Sequence, residues 1–262
     1  MQQLLITTLK STITQLVGTA GVFFLFGYIL SFLQTKILDI YKKTLGWNSV
    51  LFTAWLGTMV HEMGHLSFAL IFNYKVKKVN LFNPNKKTGR MGHVKYGYIK
   101  GSILHRLGKF FVGAAPLFFG AAIVLLLMYF LVPNGAELYS LLKQNYNLSI
   151  IDQIKNVLIN LFSYSNLSQF SFWIFIYLSL SIVTHMSPSK RDRSQMWSGL
   201  LWFGIILFAA NFISLTLLNL DLTNFFNSLK VYLAVITSFF IFSTCLAFVH
   251  YLLVLVFLSP FK

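Results

Sequence analysis

The sequence predicts an all-α polytopic membrane protein with about six transmembrane helices and a small β-hairpin-like cytoplasmic loop. Of its 262 residues, 56% are apolar and only 10% are charged, against roughly 25% charged residues in soluble domains. The apolar residues, including 28 Phe, form long unbroken runs, whereas the strands of a membrane barrel alternate apolar and polar residues. A single cysteine, Cys245, excludes an intrachain disulfide and a cysteine-rich metal cluster.

Six segments are long and apolar enough to cross a bilayer, which takes about 20 helical residues. They are Leu16–Leu33, Ser49–Asn73, Leu107–Val132, Phe170–Met186, Trp197–Leu220 and Val231–Leu258. Residues 2–17 carry apolar side chains at helical spacing, and we interpret them as an amphipathic lead-in lying on the membrane surface. Residues 1–262 are predicted to form one membrane-embedded domain.

The distribution of basic residues predicts the orientation of the bundle. With six spans, both termini and the second and fourth loops share one side, which carries fifteen of the 21 Lys and Arg; the other side carries six. Loops rich in Lys and Arg stay in the cytoplasm. We therefore expect a multi-pass cell-membrane protein, of bacterial type, with both termini in the cytoplasm. The net charge of +15 is then explained by the bilayer, and no nucleic-acid partner is expected.

The basic loop, residues 74–106, is the one region with a strand-like pattern. Val94, Tyr96 and Tyr98 alternate with Lys95 and Gly97, and residues 83–89, Asn-Pro-Asn-Lys-Lys-Thr-Gly, are typical of a turn. This pattern predicts a short hairpin at the membrane surface. An irregular basic loop that contacts anionic lipid headgroups is the alternative.

The most informative motif is His61-Glu62-Met63-Gly64-His65, inside the second predicted span. On a helix, residues four apart project from the same face. His61 and His65 can therefore bind one Zn²⁺, with Glu62 beside them to take a proton from a water at the metal. A carboxylate within a bilayer costs at least ~2.5–3.5 kcal/mol, so a functional reason for Glu62 is favoured over an accidental match.

This motif within an apolar helix resembles the site-2 protease group of intramembrane zinc metalloproteases, over about residues 50–200. The resemblance implies that Glu62 is the general base and that a later carboxylate completes the zinc site. Residues 112–117, Val-Gly-Ala-Ala-Pro-Leu, look like the family's Gly-Pro element, although the Asn that follows it in the family is absent. Residues 185–192, His-Met-Ser-Pro-Ser-Lys-Arg-Asp, replace the family's usual third-ligand motif and look like that of smaller bacterial relatives.

The third ligand is partly predicted by elimination. Of the four Asp residues, Asp39, Asp152 and Asp221 fall on the non-cytoplasmic side of the predicted topology, so Asp192 is favoured. Asp192 would reach the site through a re-entrant turn at residues 187–189. His185 is the rival ligand, or otherwise a residue that supports a ligand or carries a proton. His93, His105 and His250 have no motif around them and are interpreted as ordinary loop or helix residues.

These features predict a zinc metalloendopeptidase that hydrolyses a peptide bond of a membrane-spanning or membrane-associated substrate, within or near the bilayer. The substrate must be extended to expose its carbonyls, and Val94, Tyr96, Tyr98 and Pro116 are the candidate substrate-binding residues. No oxyanion donor is identifiable from the sequence. One alternative is a prenyl-protein endoprotease with Glu137 as its third ligand. The other is a non-enzymatic protein, such as a transporter, immunity factor or partner subunit, with a structural metal site.

Overall fold

The computed structural model describes residues 2–99, 101–144, 149–217 and 223–258. The chain is mostly helical with one two-stranded antiparallel sheet. The elements are α1 Gln2–Thr44, α2 Trp47–Ile71, β1 Lys75–Asn80, β2 His93–Gly97, α3 Ile103–Leu131, α4 Gly135–Gln144, α5 Ile150–Leu161, α6 Tyr164–Leu167, α7 Phe170–His185, α8 Lys190–Leu217 and α9 Thr223–Leu258.

Within the described ranges, four helices are long and apolar enough to cross a membrane. They are α1, α3, α8 and the Tyr232–Leu258 part of α9. The two other predicted spans, on α2 and α7, are also helical, but α7 has only 16 residues and α2 carries His61, Glu62 and His65 at its middle. The described part of the chain thus has four helices that could cross a membrane by length and composition, where six spans are predicted. Residues 218–220 of the fifth predicted span lie outside the described part.

The N-terminal segment differs from the predicted surface lead-in. Residues 2–17 continue into the first span as one unbroken helix, α1. The polar side of this segment is buried, because Thr12 and Gln15 accept hydrogen bonds of 3.0 and 2.7 Å from the amide of Asn211 on α8. Its apolar side, including Leu9 and Ile13, is exposed. The segment therefore packs along α8 with its polar side inward.

Helix α3 lies at the centre of the bundle and packs against α2, α7 and α8, while α1 packs against α8 and α9. Small residues allow two close approaches near the motif. A Cβ atom on Gly64 of α2 would lie 3.0 Å from the carbonyl oxygen of Ala115, and one on Gly113 would lie 2.6 Å from that of Asp192. These approaches bring the middle of α2 and the start of α8 to the same level of α3.

The hairpin between α2 and α3 confirms the strand prediction with a shift of one residue. Strand β2 runs His93–Gly97 rather than 94–98 and pairs antiparallel with β1, from Lys75 opposite Gly97 to Asn80 opposite His93. Turn-forming residues stabilise the tip of the hairpin. Oδ1 of Asn85 accepts hydrogen bonds from the N–H groups of residues 87 and 88, and Gly89 has φ 68°. The hairpin therefore lies beside the end of α2, close to the motif.

Candidate metal centre

Helix α2 presents the two motif histidines to each other. Their Nε2 atoms lie 3.2 Å apart, as expected for positions i and i+4 on one helical face. His65 is buried and His61 is partly buried. Both rings thus point their Nε2 atoms at one point in the bundle.

The carboxylate of Asp192 reaches the same point from α8. Its Oδ1 lies 3.4 Å from Nε2 of His65 and its Oδ2 lies 3.7 Å from Nε2 of His61. Asp192 is buried, in the first turn of a helix that begins seven residues before the predicted span. The turn at residues 186–189, between α7 and α8, carries it inward.

A reciprocal helix cap fixes Asp192. The backbone N–H of Ser189 donates to Oδ2 of Asp192 at 2.8 Å, and the N–H of Asp192 donates to Oγ of Ser189 at 3.3 Å. The carbonyl of Ser189 accepts the first intrahelical bond, from Arg193. This arrangement is a capping box with Asp in the place of the usual Glu, so folding of the α8 N-terminus orients the carboxylate.

Backbone carbonyls set the tautomer of both histidines. Nδ1 of His61 lies 2.8 Å from the carbonyl oxygen of His185, and Nδ1 of His65 lies 2.9 Å from that of Val112. A carbonyl only accepts, so each Nδ1 carries a proton, and in a neutral imidazole Nε2 then presents a lone pair. Two ring nitrogens and a carboxylate therefore converge, an arrangement that a cation between them would stabilise.

The spacing of these atoms fits a metal ion. His61, His65 and Asp192 each offer a ligand atom, and these atoms lie within 4.8 Å of one another. In a tetrahedral zinc site with bonds of about 2.0–2.2 Å, ligand atoms lie about 3.3–3.6 Å apart. The two histidine Nε2 atoms, 3.2 Å apart, are close to that spacing, and the carboxylate of Asp192 approaches them through its two oxygens, at 3.4 Å from His65 and 3.7 Å from His61. The three residues form a group that could hold one metal ion.

Glu62 lies next to this group without joining it. Its side chain is 8% exposed and forms no hydrogen bond or ion pair with the residues that the structure describes. Gly92 closes over it, since a Cβ atom there would lie 2.9 Å from Cγ of Glu62. The carboxylate thus remains available as a proton acceptor beside the metal ligands.

Two cavities meet at His61 and Glu62. One, of about 250 Å³, runs along β2 from Gly92 to Tyr96 and extends to the start of α8. The other, of about 340 Å³, lies between α1, α2 and the turn at residues 186–189. Both are lined by His61, Glu62, Gly92 and Ser189. His61 and Glu62 therefore lie in the walls of both cavities.

Of the other predicted site residues, some line the first cavity and others lie away from it. Val94 and Tyr96 line the first cavity. Tyr98 follows the strand and is exposed, with Nζ of Lys109 over its ring, and Pro116 is buried inside α3. Nε2 of His185 lies 3.3 Å from Oγ1 of Thr53, so the side chain is outside the ligand group and only its carbonyl supports His61.

His93 is a site residue that the sequence analysis missed. It lines the first cavity together with Glu62, His61, His65 and Asp192. Its Nε2 atom is buried and has no hydrogen-bond partner among the described residues. No local motif marks it, because the hairpin brings it to the site from 31 positions beyond Glu62 in the chain.

Tyr96 is the polar link between the hairpin and α8. Its hydroxyl donates to Oε1 of Gln195 at 2.6 Å. Burial raises the pKa of Tyr96 to about 12, so the hydroxyl keeps its proton and remains a donor over the working pH range.

Comparisons with known proteins give no relative. No family model, no curated protein and no solved structure matches the chain.

Proposed function

We propose that the protein is an intramembrane zinc metalloprotease, resembling the site-2 protease group, that cleaves a membrane-spanning or membrane-associated substrate. The proposal places it in the cell membrane with both termini in the cytoplasm. The single observation that carries the proposal is the convergence of three ligand atoms beside the free carboxylate of Glu62. A site that served only to hold the fold together would need the ligands but not the acid.

Each residue has one role in this proposal. His61, His65 and Asp192 hold the zinc ion, which when bound supplies the Lewis acidity that lowers the pKa of a water and polarises a carbonyl. Glu62 accepts the proton of the attacking water and returns it to the leaving amine. The peptide bond breaks with one water consumed, giving a carboxylate and an amine.

The hairpin offers a means of holding the substrate extended. One edge of β2 is paired with β1, and residues 92–96 lie along the first cavity. A substrate segment that added to the free edge would be bound through its backbone, with its carbonyls exposed beside Glu62. Val94 and Tyr96 would contact its side chains.

His93 is the candidate for stabilising the oxyanion that forms at the scissile carbonyl. Its buried Nε2 has no hydrogen-bond partner among the residues that the structure describes, and an N–H at that atom would contribute most where negative charge develops during the reaction. Its place at the start of β2 puts it beside any peptide that follows the strand edge.

The two alternatives are less well supported. Glu137 would be the third ligand if the protein were a prenyl-protein endoprotease. It is exposed on α4, which follows the far end of α3. Val112 is near the metal-ligand group and Leu131 ends α3, so the end of α3 lies about 28 Å from that group at 1.5 Å per residue. A non-enzymatic metal site leaves the buried Glu62 unexplained.

The deciding experiment compares wild type with Glu62→Gln. Both proteins are purified in detergent without added metal, and zinc is counted per chain. We expect about one zinc in each. Membrane proteomes of cells that produce either protein are then compared by mass spectrometry for new termini inside or beside membrane spans.

Termini that appear with wild type and vanish with Glu62→Gln support the protease. Equal zinc with identical proteomes would favour a structural metal site. Absence of zinc from both proteins would overturn the metal site itself.

A further inference from the structure

The backbone around Pro116 explains how one metal ligand is oriented. Pro116 lies in the interior of α3 and has no N–H, so the carbonyl of Val112, four residues earlier, loses its intrahelical partner. Val112 is fully buried. A buried carbonyl without a partner is costly, particularly within a membrane.

The group that takes this carbonyl is a ligand histidine. Nδ1 of His65 lies 2.9 Å from the oxygen of Val112. The close approach of Gly64 to Ala115 brings the α2 and α3 backbones near enough for this bond. With any other residue at position 116, an N–H would point at the same oxygen and compete with the imidazole.

The second ligand histidine follows the same rule by a different route. Nδ1 of His61 lies 2.8 Å from the carbonyl oxygen of His185, the last residue of α7. Carbonyls in the last turn of a helix have no intrahelical partner. Both histidines therefore bond to carbonyls that have no hydrogen-bond partner within their own helix. The His185 carbonyl lies at the end of α7, and the Val112 carbonyl lacks an intrahelical donor because of Pro116.

We propose that Pro116 is a positioning residue for the metal: by leaving the Val112 carbonyl free, it holds His65 with the proton on Nδ1 and Nε2 aimed at the ion. This inference rests on the metal site of the proposed function. It replaces the expected substrate contact of Pro116 with a role through Val112 and His65. Groups that orient a ligand histidine typically change metal affinity 10- to 100-fold.

The test distinguishes the effect of the missing N–H from the effect of the proline ring. Pro116→Ala restores an N–H. Replacement of Pro116 by lactic acid, the α-hydroxy analogue of alanine, gives the same methyl group through an ester and no N–H. Co²⁺ and Zn²⁺ affinities are measured by competition with a chelator, and Co²⁺ absorption reports the ligand geometry. Pro133→Ala is the matched control, because Pro133 is exposed just beyond the end of α3.

We expect Pro116→Ala to bind metal about 10- to 100-fold more weakly, with an altered Co²⁺ spectrum. The lactic acid variant and Pro133→Ala should resemble wild type. Wild-type affinity in Pro116→Ala, or an equal loss in the alanine and ester variants, would overturn the proposal. Absence of metal from wild type would instead refute the metal site of the proposed function.

A second variant covers the case in which Pro116→Ala does not fold. Glycolic acid in place of Gly113 keeps Pro116 and converts the Val112 carbonyl to an ester, which is a weaker acceptor. Helix content by circular dichroism verifies folding. We expect weaker metal binding here too, and unchanged affinity in the folded variant would contradict the role of this carbonyl.

Discussion

The hydroxyl of Tyr96 donates a 2.6 Å hydrogen bond to Oε1 of Gln195. Gln195 lies one turn beyond Asp192 on α8, so this bond joins β2 to the helix that carries Asp192. The hairpin is thereby linked, across the first cavity, to the group that could hold a metal ion.

The first prediction concerns this link. Tyr96→Phe removes the bond and should lower cleavage by roughly 2- to 10-fold, the equivalent of a net hydrogen bond of about 0.5–1.5 kcal/mol, with zinc content unchanged. Because the pKa of Tyr96 is raised to about 12, wild type and variant should show the same pH profile up to about pH 10. An alkaline limb near neutrality that vanishes in the variant would contradict this.

Strand addition makes a separate prediction for the same position. Tyr96→Pro removes a backbone N–H and disturbs the strand, so cleavage should be abolished while one zinc remains bound. Zinc analysis of the purified variant serves as the control for folding of the site. Unchanged cleavage would exclude pairing of the substrate with β2.

The third prediction uses two aspartates that each follow a capping serine by three residues. Asp192 accepts the backbone N–H of Ser189 at the start of α8, and Asp152 accepts the hydroxyl of Ser149 at the start of α5. Asp192→Ala and Asp152→Ala should each cost about 1 kcal/mol of stability from the lost hydrogen bond. Only Asp192→Ala should lose zinc, as measured by metal analysis and calorimetry. Equal zinc in the two variants would remove Asp192 from the ligand set.

The motif on α2 could be predicted because its chemistry is local. His61 and His65 are spaced by one helical turn, so the sequence alone places them on one face. Asp192 could be predicted as a ligand because the chain has few acidic residues to choose from. Its capping partner, Ser189, completes a Ser-x-x-Asp pattern that marks a helix start.

The rest of the site depends on contacts that leave no local pattern. His93 reaches the cavity only because the hairpin folds back beside α2. Likewise, the polar side of residues 2–17 was expected to face water, but Asn211 on a distant helix provides partners for Thr12 and Gln15. When the sequence of one helix is considered alone, polar residues that hydrogen-bond to another helix look the same as polar residues that face water.

The fourth prediction tests His93 as a donor to the substrate. His93→Phe keeps a ring of similar shape without the donor and should lower kcat roughly 100-fold or more, with KM and zinc content close to wild type. His93→Gln keeps an N–H and should retain more of the activity. Equal activity in wild type and His93→Phe would show that His93 does not contact the reacting carbonyl.

The last prediction concerns a close contact between α3 and α8. A Cβ atom on Gly113 would lie 2.6 Å from the carbonyl oxygen of Asp192, and that backbone atom cannot move aside without shifting the start of α8. Gly113→Ala should therefore displace Asp192, cost about 1–3 kcal/mol of stability and weaken zinc binding together with cleavage. Gly18→Ala is the matched control, because a Cβ there meets nothing within 4 Å; in a helix interior it should leave zinc binding unchanged and raise stability by about 0.5–1 kcal/mol. Wild-type zinc affinity in a folded Gly113→Ala protein would mean that the α3–α8 contact does not position the third ligand.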